Sequence, residues 1–205
     1  MRYRLVVGDI TRGLALAAAL LAAAAVRADA AAKPIDVVRD SNDAVLAILA
    51  KHAVVDAATE KLLFAVIDPI TEFDGMAKAV IDPFCAKLAP GQCDEIKRTF
   101  TRLLRVSSIK KLGRYRADRF DYDGEQITGD AAVVRTFAWY KQERIPLDYH
   151  LAQRPQGWVI ANYVVDEVDT IRNYRKQFTR LFAQETYAQV HERLLRKIAE
   201  YEAEK

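Results

Sequence analysis

The stretch Ile145-Pro146-Leu147-Asp148-Tyr149-His150-Leu151-Ala152 decides the class of this fold. Large apolar or aromatic side chains occupy every second position, with Pro146, Asp148, His150 and Ala152 between them, the period of a strand with one buried face. The same signal continues on both sides. Ala131 to Tyr140 is rich in β-branched and aromatic residues, Pro155-Gln156-Gly157 reads as a turn, and Trp158 to Val168 reads as a last strand. Upstream, Arg119-Phe120-Asp121-Tyr122 alternates and Asp123-Gly124 reads as a turn. Three or four consecutive strands joined by short turns predict an antiparallel sheet.

Outward from this block the period changes to that of helices. Before it, Pro34 to about His52 carries apolar residues at helical spacing, and Asp56 to Ile67 forms a second segment ended by Asp68-Pro69. A third opens at Thr71-Glu72-Phe73-Asp74 and is expected to stop at Asp82-Pro83. A fourth runs from Cys93 to about Leu112, with Gly113 placed to end it. After the block, Asp169 to Ala183 and Thr186 to Lys205 are helical again. The predicted class is α+β: a curved antiparallel sheet packed by helices around an apolar cavity.

Residues 1–30 read as a secretory signal: Arg2 and Arg4, an apolar run from Leu14 to Val26, and the small-x-small set Ala28-Asp29-Ala30. The run falls short of the about 20 residues that span a bilayer as a helix. The remainder, 31–205, is expected to be one exported domain in the periplasm, long enough for a core of its own. The formal charge is +3 for the whole chain, close to +1 without the signal, which argues against a nucleic-acid partner. Lys110, Lys111, Arg114, Arg116 and Arg119 form a local basic stretch, read as a solvated face at a helix end. The two cysteines, Cys85 and Cys93, flank Pro90-Gly91 and predict a disulfide in an oxidising compartment.

No catalytic arrangement emerges. His52, His150 and His191 lie outside any metal-ligand spacing, Ser107-Ser108 has no nucleophile elbow, and the glycines form no phosphate loop. Asp123 belongs to a predicted turn rather than to an acid–base pair with Asp121. The sequence predicts no enzyme, no metal site and no cofactor.

The C-terminal third carries a more specific pattern. Trp158-Val159, then Val168, then Asn173-Tyr174-Arg175-Lys176-Gln177-Phe178 resembles the tryptophan strand and Asn-Tyr-Arg-x-Gln-Phe signature of MlaC-type proteins, the toluene-tolerance auxiliary family of periplasmic phospholipid carriers. Phe73-Asp74-Gly75-Met76-Ala77 resembles the family's Phe-Asp-x-x-x-Ala segment, and Phe100 to Tyr115 its Phe…Leu-Leu…Tyr helix. The chain departs from the pattern at Asn162-Tyr163, at Glu167 to Ile171, and in the insertion holding the two cysteines.

The resemblance implies a nuclear transport factor 2-like sheet with helices enclosing an acyl-chain pocket. It implies a monomeric carrier of phospholipid, or of a hopanoid-type lipid as in a sister branch. Its partners would be an outer-membrane lipoprotein complex and an inner-membrane ABC transporter. An interaction protein that carries no lipid is the alternative. The pocket wall is expected from Ile145, Leu147, Tyr149 and Leu151 on one strand, with Phe137, Trp158 and Ile160 on its neighbours. Tyr174 and Phe178, four apart on a helix, are expected to bury against the sheet, with Arg175 directed toward a carboxylate or solvent.

Overall fold

Pro34 sits in the first turn of the first helix, where its missing N–H costs nothing. The computed structural model describes residues 32–203. Helix α1 (Pro34–Lys51) is followed by α2 (Ala57–Ile67), a single 3-10 turn over Asp68–Ile70, α3 (Phe73–Cys85) and α4 (Gln92–Arg114). Strands β1 (Arg119–Thr128), β2 (Ala131–Tyr140), β3 (Glu143–Arg154), β4 (Gly157–Val165) and β5 (Val168–Asp169) come next, then α5 (Thr170–Gln184) and α6 (Tyr187–Ala203). The signal sequence read over residues 1–30 lies outside the described residues. No helix among the described residues is long and apolar enough to cross a membrane.

The sheet is an antiparallel meander in the order β1-β2-β3-β4-β5. Its register places Leu147 opposite Thr136 on β2 and Val165 on β4, and Tyr149 opposite Val134 and Tyr163. Asp123-Gly124 is not a turn. β1 runs through it with a bulge between Tyr122 and Glu125, and Gly124 adopts φ 97°, a conformation open to glycine at no steric cost. Two of the real turns contain no glycine at all. Lys141-Gln142 (φ 48° and 70°) and Asp166-Glu167 (φ 48° and 62°) take the left-handed pair of conformations that match the twist of a two-residue hairpin.

The helices differ from expectation at two punctuation residues. α3 does not stop at Asp82-Pro83 but carries Pro83 in its last turn and ends at Cys85. Gly113 lies inside α4 rather than after it. A side chain there would meet Val55 Cγ2 at 2.9 Å, so the glycine permits close approach of the α1–α2 connection.

Two clusters form the interior. The larger joins the helices around Met76, Ile81, Phe100 and Phe178, and the smaller packs Val38 of α1 on Ala132, Val134, Leu151 and Ile160 of the sheet. Tyr174 and Phe178 are directed at α4 more than at the sheet: both set their rings edge-on to Phe100, at 5.1 and 4.9 Å between centroids. Cys85 and Cys93 are disulfide-bonded, with Cα atoms 5.2 Å apart, and tie the end of α3 to the start of α4.

Candidate functional site

Side chains alternate across a strand, so cross-strand partners share a face. The pairings Ala132–Leu151, Val134–Tyr149, Thr136–Leu147 and Ala138–Ile145 therefore put Ile145, Leu147, Tyr149 and Leu151 on one face, which α1 partly covers. On β4, Leu151 pairs with Ile160 and Gln153 with Trp158, which brings Ile160 and Trp158 to the same inner face. Phe137 is the exception. It pairs with Pro146, points to the outer face, and lies under the guanidinium of Arg144, 3.3 Å from its ring centroid.

The six inner-face residues divide into two groups. Leu151 and Ile160 are 2% and 6% exposed and packed against Val38, with Tyr149 and Trp158 against the same cluster. Ile145 and Leu147 are only half-buried and belong to neither packed cluster. One end of the inner face is thus closed by α1, while the end near the β2–β3 turn keeps half-exposed apolar side chains.

At the closed end the structure reveals a polar trio that sequence reasoning missed. Asn42 of α1 is buried, its Oδ1 accepts from Tyr149 Oη at 2.9 Å, and its Nδ2 donates to Tyr122 Oη at 3.3 Å. Burial pushes the Tyr149 hydroxyl well above its ordinary pKa, and burial likewise raises Tyr122. A buried hydroxyl without a partner is costly, so this contact fixes the position of α1 along the sheet. Glu125 does the same at the start of the helix. Lys33 gives no side-chain cap, and Glu125 Oε2, brought to the inner face by the β1 bulge, accepts the main-chain N–H of Ile35 at 2.8 Å. These partners lie 80 to 107 residues apart in sequence, and no local pattern announces such pairs.

At the other end of α1, Arg116 donates to the main-chain oxygens of Leu49, His52 (2.8 Å) and Ala53 (3.1 Å). A residue of the basic stretch therefore serves as a helix cap. The three histidines sit on separate elements: His52 after α1, His150 on the outer face of β3, and His191 on α6, where Nε2 is 2.8 Å from Thr99 Oγ1. Asp82 lies beside Cys85 and Cys93, but both sulfurs are held in the disulfide and offer no thiolate.

Two hollows mark the helical surface. One of 390 Å³ is lined by Glu185, Gln189, Glu192, Arg193 and Arg196. The other, of 290 Å³, is lined by Asp74, Lys78, Asp94, Lys97, Arg98 and Thr101. Both are open and lined by charged or polar groups, and neither is the apolar chamber expected from the sequence.

The fold has a solved counterpart. The chain superposes with a TM-score of 0.68 on a phospholipid-binding protein from Ralstonia solanacearum, solved in complex with a phospholipid; the match covers 80% of this chain and 96% of that one, at 20% sequence identity. No curated protein matches the sequence. The family model described as MlaC protein matches residues 39–196, from the first turns of α1 to the middle of α6. This chain belongs to the MlaC family.

Proposed function

We propose that this protein is a non-enzymatic carrier that holds the acyl chains of a phospholipid between the inner face of its sheet and its helices. It would work in the periplasm, between an outer-membrane lipoprotein complex and an inner-membrane ABC transporter. The observation that carries the reading is the pair Ile145 and Leu147, apolar and half-buried on the inner face and outside both packed clusters. Membership of the MlaC family and the phospholipid in the structural counterpart support it.

The physics of the task accords with that wall. A two-chain lipid has roughly 30 methylenes, and at about 0.8 kcal/mol each its transfer through water costs about 24 kcal/mol. Only a dry apolar surface of comparable area offsets that cost, and no covalent step is needed. The decisive experiment is extraction of the chain purified from cells that make it, with mass spectrometry of what it releases. Roughly stoichiometric phospholipid is the expected result. A hopanoid-type lipid would reassign the cargo, and a lipid-free chain would leave an interaction protein in its place.

A further inference from the structure

Not all of the basic stretch is used in capping. Lys111 reaches the surface in the last turn of α4, although its surroundings partly desolvate the ammonium and lower its pKa. Tyr115 ends the helix, 52% exposed, with its ring edge-on to Tyr140 at 5.9 Å. That contact sets the end of α4 beside the β2–β3 turn. On the outer face of this turn, Arg119, Trp139 and Arg144 form one cross-strand row. Arg119 lies over the Trp139 ring at 4.0 Å, and the Trp139 indole N–H donates to Asp121 Oδ2 at 2.7 Å. Lys141, in the turn itself, is exposed, with its ammonium 5.0 Å from the centroid of the Tyr140 ring.

From these positions we infer that the corner formed by the end of α4 and the β2–β3 hairpin is a docking surface for an anionic phospholipid bilayer. Resting on the carrier reading, the inference adds the place where the protein meets its donor or acceptor membrane. Four cations, Lys111, Arg119, Lys141 and Arg144, stand against Asp118, Asp121 and Glu143. Of those acids, Asp121 is taken up by the indole N–H and lies 3.6 Å from Arg119 Nε. Lysine and arginine beside tyrosine and tryptophan are the side chains that settle at a lipid headgroup layer: the cations meet phosphate, and the rings lie between water and acyl chain. Arginine, tryptophan and tyrosine serve protein interfaces as well, but lysine is depleted there, so Lys111 and Lys141 favour the headgroup layer. The location also fits delivery. Ala138 and Ile145, neighbours of Trp139 and Arg144 in the chain, point to the opposite, inner face, at its half-exposed end.

The test uses the whole chain expressed with its own N-terminal segment. The protein has two tryptophans, Trp139 and Trp158, so Trp158→Phe leaves Trp139 as the reporter. With vesicles of phosphatidylcholine containing phosphatidylglycerol, Trp139 emission is expected to shift to the blue and to be quenched by brominated lipid. Vesicles of phosphatidylcholine alone, or high salt, are expected to give little change. Each cation near such a surface contributes about fivefold in affinity. Arg119→Ser, Lys141→Asn and Arg144→Ser together are thus expected to weaken binding roughly a hundredfold, and Lys141→Asn alone about fivefold. The asparagine suits the left-handed conformation at that position. Co-purified lipid per chain is measured on the Arg119, Lys141 and Arg144 variants in the chain that keeps Trp158; it reports the carrier reading separately and is expected to stay unchanged. Failure of the unaltered chain to bind anionic vesicles overturns the proposal, as does binding that the triple variant leaves intact. Photo-crosslinks from position 141 that capture only protein in the periplasm would make the corner a protein-docking face and also overturn it.

Discussion

Arg175 Nη2 donates to the main-chain oxygen of Ala79 at 2.6 Å, and Ala79 stands four residues before Pro83 within α3. Proline has no N–H, so the Ala79 carbonyl lacks its helical donor. The arginine of the Asn-Tyr-Arg segment supplies one from α5. Neither a carboxylate nor free solvent is its target, and the contact joins α5 to the helix whose last turn proline weakens.

A charged donor to a carbonyl contributes about 1.5–3 kcal/mol, less where water can replace it. Arg175→Ala is therefore expected to lower stability by about 1–2 kcal/mol in urea unfolding. In a Pro83→Ala background, which returns the missing N–H, the same substitution is expected to cost distinctly less. Equal costs in both backgrounds would show that Arg175 acts through some other contact.

The inner and outer faces give a matched pair of tests. Leu147→Arg places a cation on the proposed lipid wall and is expected to abolish lipid retention with the circular dichroism spectrum largely kept. Phe137→Ser, on the outer face, is expected to retain lipid. Leu151→Ala differs from both: it opens a cavity in the packed cluster and should cost about 2–5 kcal/mol of stability. Loss of lipid in Phe137→Ser and its retention in Leu147→Arg would reverse the assignment of faces.

Three tyrosines make a prediction about alkali. Burial raises the hydroxyls of Tyr149 and Tyr163, and burial first, then neighbouring tyrosines, pushes Tyr174 up to about 12. In the unfolded chain a tyrosine ionises near about 10. A raised folded pKa leaves stability intact below that value and erodes it as pH climbs toward the folded one. Stability is thus expected to hold up to pH about 10 and then fall by up to about 1.4 kcal/mol per pH unit for each such tyrosine. Tyr174→Phe should flatten the slope between pH about 10 and about 12.

The disulfide closes a short loop, its cysteines eight positions apart in the chain. Chain-entropy arguments give such a bridge about 2–3 kcal/mol. Cys85→Ser is expected to lose no more than that and to leave lipid retention unchanged. Complete unfolding of the variant would assign the α3–α4 link a larger part in the core.

Strand alternation around Leu147 and the helical periods of α1 to α6 were legible, because each is a local repeat of one side of an element. Relations between elements were less so. Phe137 belongs to a strand as apolar as its neighbours, but its face depends on the register with Pro146, and a single step separates inner from outer. Gly113, Gly124 and Pro83 were each visible as breaks in pattern. What each permits became clear only from what lies opposite it: Val55, the β1 bulge and Arg175. The Lys141-Gln142 and Asp166-Glu167 turns carry neither glycine nor asparagine, so nothing local marked them. The Asn42 trio, the key to how α1 sits, is built entirely from distant pairs.

The cap that Glu125 places on Ile35 also has a consequence in time. Each strand of the meander pairs with its immediate successor across a turn of two residues, so the sheet can assemble from local hairpins with little loop to close. α1 precedes the sheet in the chain, yet its first turn has no side-chain cap of its own and finds its acceptor ninety residues downstream. Bringing those ends together carries a loop-closure cost that is met only once β1 exists. α1 must therefore wait for β1, and a helix that precedes the sheet in the chain settles only after the strand that caps it has formed.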